Sequence, residues 1–280
     1  MSKRKHLLLG FLLSSCISLL AYRRHSLSKS GVACAMTTGT ATFGLGGPAW
    51  GLSLIYFFIS SSLFSHFRAR DKAQTAADKF SKGGQRDIMQ VAANGGVATL
   101  MAIGHSLTPS PLAREMLEAG YVGALATATA DTWATELGVL STVAPRLITT
   151  GQTTLPGTSG GITPLGTAAA TSGAFSLGLV FHLLKRTRTS WTLLPIALLS
   201  GLAGSLFDSW LGATWQAMYY CPTCQKETER RIHSCGQLTQ PLRGLAWMDN
   251  DVVNFLATLV GSLLAMLLYL SIQRRSKDDL

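Results

Sequence analysis

Tyr121-Val122-Gly123-Ala124-Leu125-Ala126-Thr127-Ala128-Thr129-Ala130-Asp131-Thr132-Trp133-Ala134-Thr135-Glu136-Leu137-Gly138 is the stretch that decides the fold. It holds no basic residue, only two acids, and otherwise small or apolar side chains. Within residues 112–139 it is long enough as a helix to cross a hydrocarbon layer of about 30 Å, which takes about 20 residues. Gly123, Thr127, Ala134 and Gly138 trace a stripe of small residues around Asp131, with Glu136 further round the helix. Such a stripe lets a neighbouring backbone come close, and a carboxylate on it must face protein or water because lipid cannot solvate it.

Working outward, comparable apolar stretches occupy residues 6–22, 31–47, 50–67, 87–107, 164–184, 191–219 and 250–272. Together with 112–139 they predict an all-α, polytopic membrane bundle of about eight transmembrane helices, filling residues 1–280 as a single domain. Composition agrees. Of the 280 residues 47% are hydrophobic and 14% charged, against about a quarter charged in soluble domains. Mean hydropathy is a modest +0.28 because the spans are rich in Gly, Ala, Ser and Thr as well as Leu, the mixture of closely packed membrane helices. Lys3, Arg4 and Lys5 before an apolar run resemble a signal peptide, yet no small-residue cleavage site precedes Arg23, so the segment reads as a retained helix. A bacterial inner membrane, a thylakoid and an endoplasmic reticulum membrane all suit such a chain.

The formal charge of +10 lies in short connections and tails without interleaved aromatics, which excludes a nucleic-acid partner and points to membrane lipid headgroups and phosphorylated substrates. With eight spans, the connections 68–86, 141–161 and 220–249 share one face, and 14 of the 24 Lys and Arg residues fall on that side.

Polar residues gather toward the same face. Arg86, Gln90 and Asn94 follow one another at i, i+4 and i+8; Gly201, Ser205, Asp208 and Gly212 repeat the small-residue stripe; Asn250, Asp251 and Asn254 open the last span. Each alone has a plain alternative, a hydrogen bond between packed helices. Asp131, Asp208 and Asp251 together repel unless cations intervene, and Mg²⁺ prefers carboxylate, amide and phosphate oxygens. Pro156-Gly157-Thr158-Ser159-Gly160-Gly161 offers backbone N–H groups and hydroxyls to an anion, or is simply a turn before Pro164. Lys79, Lys82 and Arg86 suit phosphate or headgroups. Cys221, Cys224, His233 and Cys235 have the spacing C-x2-C-x8-H-x-C, which suits a structural zinc ion or, in an oxidising compartment, a disulfide. Cys16, Cys34, His105 and His182 read as packing residues.

Gly84-Gln85-Arg86-Asp87 with Gln90-Val91 and Asn94-Gly95-Gly96, then Ala128 to Glu136, Pro145-Arg146-Leu147-Ile148-Thr149-Thr150, Pro156 to Gly161, and Asn250-Asp251 with Asn254 together resemble a known membrane family. It is the family containing plant phytyl-phosphate kinase and animal transmembrane protein 19. The resemblance spans residues 35 to 270. It implies a CTP-dependent or other NTP-dependent kinase acting on a phytyl or polyprenyl monophosphate. Asp131-x-x-Ala134-x-x-x-Gly138 is also similar to the start of the CTP-binding motif of dolichol and phytol kinases, but Thr153-Thr154-Leu155-Pro156-Gly157 stands where those enzymes carry Lys-Thr-x-Glu-Gly. On this expectation Asp131, Asp208 and Asp251 hold Mg²⁺ and polyphosphate, with Arg86 and Lys79 clamping charge. Asn94, Glu136, Asn250, Asn254 and the loop Gly157 to Gly161 contact nucleotide or substrate. A transporter with a polar half-pathway and a CTP-dependent cytidylyltransferase are the rival classes.

Overall fold

The computed structural model describes residues 3–76 and 85–278. Nine α-helices are present among them: α1 (Lys3–Arg23), α2 (Lys29–Ala41), α3 (Pro48–His66), α4 (Ala69–Ala76), α5 (Ile88–Leu107), α6 (Pro111–Gly138), α7 (Pro164–Lys185), α8 (Arg188–Thr214) and α9 (Asn250–Asp278). A single π-helical stretch, Thr42–Gly46, carries α2 toward α3. Two small antiparallel sheets fill the long connections. One pairs β1 (Arg146–Leu147) with β2 (Gly161–Ile162); the other orders β3 (Met218–Cys221), β4 (Lys226–Thr228) and β5 (Gln240–Arg243) as β4-β3-β5. The bundle is helical as expected, and the sheets are additions to it.

Local chemistry sets the helix starts. Asp87 accepts from the Gln90 N–H while Gln90 Oε1 accepts from the Asp87 N–H, a reciprocal cap that begins α5. Ser110 and Thr163 cap α6 and α7, each followed by a proline at the first helical position. A Thr187–Ser190 cap starts α8 at 188 instead of 191, and the chain leaves the helix after Thr214 to enter β3, so the expected span 191–219 is shifted toward its N-terminus.

Helix α6 is the centre. It packs against α3, α5, α7, α8 and α9, and every residue from Glu118 to Ala130 is buried. A helix enclosed on all sides needs small residues on several of them. At Gly123 an added Cβ would lie 2.4 Å from the Ala265 Cβ and 2.5 Å from the Gly261 carbonyl oxygen, so α9 crosses α6 in backbone contact there. On another side Trp50, Tyr121 and Phe181 stack into an aromatic cluster, with ring centroids 4.3 Å apart for Trp50 and Tyr121 and 5.9 Å for Tyr121 and Phe181. The Tyr121 hydroxyl donates to the Trp50 carbonyl and lies 2.9 Å from Ser53 Oγ, so the buried phenol is satisfied.

The outside is apolar too. Leu8, Leu12, Leu19, Leu63, Leu183 and Leu267 are each more than half exposed, a surface suited to lipid and poorly suited to water. Five helices among the described residues, α1, α3, α7, α8 and α9, are long and apolar enough to cross a membrane. The count of about eight is therefore not reproduced by length and apolarity alone. α2 is short at 13 residues, α5 carries Gln90 and Asn94, and α6 carries acids whose surroundings are other helices.

Candidate active site

Described residues from the connections that follow α3, α6 and α8 line a single cavity of about 490 Å³. Of the residues selected from the sequence, Arg86, Asn94, Asp131, Glu136, Gly157, Thr158, Ser159, Gly160, Gly161, Asp208, Asn250, Asp251 and Asn254 all line it. They come from the residue before the α5 cap, from α5, α6, α8 and α9, and from the loop between β1 and β2 with the start of β2, parts of the chain far apart in sequence. Lys79, expected to clamp charge, lies outside the described residues, as does Lys82.

The acids occupy one region. Asp131 accepts a long hydrogen bond from Ser205 Oγ at 3.5 Å. Asp208, one turn beyond Ser205 on α8, has a buried Oδ2 with no hydrogen-bond partner among the described residues, and the negative charges of Asp131 and Glu229 both bear on it. Asp251 is 5% exposed at the start of α9. That helix is capped by Asp249, whose Oδ1 accepts from the N–H groups of Asp251 at 3.0 Å and Val252 at 3.1 Å. Asp131, Asp208 and Glu229 are near enough for their charges to act on one another, and one Asp208 oxygen is buried without a hydrogen-bond partner among the described residues. Asn94, Asn250 and Asn254 line the same cavity.

Arg86 is held by its own backbone. Its N–H donates to the Ser26 carbonyl and its carbonyl accepts from the Ser28 N–H, both at 3.0 Å, tying the α1–α2 turn to the start of α5. A Cβ at Gly31 would lie 2.1 Å from the Arg86 oxygen, so only glycine permits this approach. The guanidinium lies 6.0 and 5.7 Å from the ring centres of Phe57 and Phe58. Arg86, Gln90 and Asn94 also line a second, largely apolar groove between α1, α2, α3 and α5, with Ile17, Leu54, Phe57 and Phe58. An acid-lined cavity and a largely apolar groove thus share these three polar residues.

Two of the predicted site features also have partners within the protein. Glu136, expected to contact nucleotide or substrate, is engaged by the protein: its Oε2 pairs with Lys72 Nζ at 2.5 Å and its Oε1 accepts from Ser65 Oγ at 2.6 Å. Lys72, from α4, also donates to the carbonyls of Phe64 at 2.7 Å and Ser65 at 3.0 Å. Nothing in the spacing of the 68–86 segment distinguishes Lys72 from its basic neighbours; only the fold brings it to the cavity.

The glycine loop is also more committed than an open cradle. Gly157 and Gly160 have φ of +76° and +84°, the left-handed region that favours glycine. However, a Cβ at Gly160 would lie 2.4 Å from that of Ala213, so close packing on α8 requires this glycine as well. The N–H groups of Thr158 and Gly161 donate to the carbonyls of Leu155 and Thr158. Ser159 Oγ donates to Gln216 Oε1 at 2.8 Å, and the Ser159 carbonyl accepts from Arg243 at 3.3 Å. Turn formation and docking thus use donors that the sequence offered to an anion.

Cys221, Cys224, His233 and Cys235 lie outside the cavity lining, on the small sheet, with one ligand atom from each within 4.8 Å of the others. Glu229, just beyond β4, reaches into the cavity from this module and accepts from Gln216 Nε2 at 2.9 Å.

Residues 12–262 match the family described as Integral membrane protein DUF92. Protein PGR of Arabidopsis thaliana is 33% identical over 283 residues, covering 94% of this chain and 96% of its own length. An uncharacterized membrane protein of Methanocaldococcus jannaschii, MJ0933, is 28% identical over 263 residues, with 94% of each chain covered. Protein VTE6, chloroplastic, from Arabidopsis thaliana is 26% identical over 245 residues, covering 86% of this chain and 65% of its own. No solved structure matches.

Proposed function

Because the chain belongs to the DUF92 family of integral membrane proteins, we propose that it is a phosphotransferase that converts an isoprenoid monophosphate, phytyl or polyprenyl, to the diphosphate with CTP or another NTP as donor. One observation carries this: an acid-lined cavity and a largely apolar groove meet at Arg86, Gln90 and Asn94. An amphiphile with a phosphate head and a hydrocarbon tail is the ligand whose two halves match the two chambers.

In this reaction an oxygen of the acceptor phosphate attacks the γ-phosphorus of the nucleotide, and the bond to the β–γ bridging oxygen breaks, releasing NDP. A phosphate monoester is already ionised near neutral pH, its second pKa being about 6, so no general base is needed. The demand on the protein is alignment and charge stabilisation. Asp131, Asp208 and Asp251 would hold Mg²⁺, which supplies charge neutralisation between the phosphates when bound. Asn94, Asn250 and Asn254 would hydrogen-bond phosphate or nucleotide oxygens. Arg86 meets the acceptor phosphate where the chambers join, and Gly157 with Thr158 lies along the polyphosphate. On this reading α2, α5 and α6 cross the membrane with the five apolar helices, making eight spans and placing the three long connections on one face.

A transport pathway has less support. Below Asp131, α6 is buried without a break from Ala130 to Glu118, and Glu118 is paired with Lys185 at 2.6 Å. At 1.5 Å per residue that sealed stretch is about 20 Å long.

The test is turnover by the purified chain in detergent with Mg²⁺, labelled CTP or ATP, and phytyl or geranylgeranyl monophosphate. Lipid diphosphate and NDP are expected, and Asp131→Asn should lower turnover about a thousandfold or more while leaving the helical spectrum unchanged. A nucleotidyl-lipid with pyrophosphate would make the protein a cytidylyltransferase. No turnover with any NTP, or full activity of Asp131→Asn, refutes the kinase assignment.

A further inference from the structure

We propose that Cys221, Cys224, His233 and Cys235 bind one zinc ion, and that this ion works from outside the cavity as the staple that keeps Glu229 and the Pro156 to Gly161 loop in position. The donor set comes from two turns. Cys221 ends β3 and Cys224 sits in the turn to β4, where its N–H points at Cys221 Sγ at 3.5 Å; such N–H···S contacts favour a thiolate. His233 and Cys235 sit in a second turn, closed by the Gly236 N–H to the His233 carbonyl at 2.9 Å. The sulfurs of Cys221 and Cys235 are 3.7 Å apart, and His233 Nδ1 lies 3.2 Å from Cys235 Sγ. Two thiolates bound at about 2.3 Å in a tetrahedron are separated by just under 4 Å, so the sulfur spacing already fits the ion. His233 is 3% exposed although Ile232 and Ser234 on either side of it are exposed, so its ring is turned in toward the sulfurs.

A staple is needed because the module is too small to stand alone. Its strands have four, three and four residues, and the β3–β5 pairing shifts register between Met218 and Tyr219. A ladder this short, with exposed Ile232, Leu238 and Leu242, has no core of its own. Yet it anchors a set of four hydrogen bonds that shape the cavity. Glu229 accepts from Gln216, Gln216 accepts from Ser159, and Arg243 donates to the carbonyls of Gly212 at 2.7 Å and Ser159 at 3.3 Å. Four protein donors leave no open coordination position, so the ion is structural. The proposal does not depend on which reaction the cavity performs.

Untagged full-length protein purified in detergent should contain one zinc ion per chain by elemental mass spectrometry. Cys224→Ser and Cys235→Ser should each lower zinc affinity at least about tenfold, whereas Cys16→Ser and Cys34→Ser should not. Stripping the wild-type protein with a chelator tests positioning without relying on a variant that fails to fold: tryptic cleavage at Lys226 and Arg231 should accelerate at least about tenfold, and zinc should reverse it. Metal-free protein with a Cys221–Cys235 disulfide in peptide maps would overturn the site. Unchanged protection of the stripped protein would overturn the staple.

Discussion

Replacing Lys72 by Met should destabilise the bundle by about 2 kcal/mol, an intermediate value that follows from the surroundings of the ammonium. Its side chain is 10% exposed and that of Glu136 24%, so the pair is neither a solvated surface bridge nor a fully enclosed one. Exposed pairs contribute about 0 to 1 kcal/mol, whereas removing one partner of a buried pair costs about 3 to 5 kcal/mol. In the Met variant the Glu136 carboxylate keeps only Ser65, and the carbonyls of Phe64 and Ser65 each lose a donor. Glu136→Gln should cost less, about 1 kcal/mol, because Lys72 retains both carbonyls and the amide still accepts from Ser65. Each single change strands a charge that the double change removes. Lys72→Met with Glu136→Gln should therefore cost about 1.5 kcal/mol against a sum near 3, a coupling of about 1.5 kcal/mol. Reversible unfolding in mixed dodecylmaltoside and SDS micelles, followed by circular dichroism, measures all four corners of the cycle. Additivity within about 0.3 kcal/mol would refute the pairing, and with it the docking of α4 at the cavity rim.

If Asp208 holds Mg²⁺ as proposed, Asp208→Asn should abolish a stabilisation by the ion that in the wild type would reach about 2.7 kcal/mol at a hundredfold excess over Kd, measured by thermal unfolding with and without the ion. Gly123→Val should cost about 3 kcal/mol by wedging α6 away from α9, whereas Gly96→Ala, with no atom within 4 Å of the new methyl, should be neutral or mildly stabilising in the same unfolding assay.

The parts of this fold that can be read from the sequence are those in which each residue reports its own surroundings. A carboxylate among alanines and glycines, as at Asp131, reports close protein neighbours because lipid would not tolerate it. The same reasoning finds Asp208, Asp251 and Asn94, all of which line the cavity. It fails where a residue's role depends on a partner remote in the chain. Lys72 meets Glu136 across 64 positions, and Glu229 reaches the cavity only because a three-stranded sheet carries it there. The strands of that sheet are too short for an alternating pattern, and Pro241 in β5 argues locally against a strand. Gly160 reads in the sequence as part of a tight backbone path, but packing against Ala213 imposes glycine there as well as the turn.

The balance of charge at the cavity bears on how it works. Lys72 is directed at Glu136 and two carbonyls, and Arg243 at the carbonyls of Gly212 and Ser159. Arg86 lines both the cavity and the apolar groove, and the negative charges of Asp131 and Glu229 bear on Asp208. On the proposed reading the acidic region receives a cation before it receives an anion: a bare phosphate would be repelled there, whereas a nucleotide entering with its metal would meet carboxylates able to complete the coordination. The lipid phosphate, arriving along the groove, would meet Arg86 first. On the proposed reading, two anionic substrates reach one another in a carboxylate-lined pocket because each approaches through a region of opposite electrostatic character.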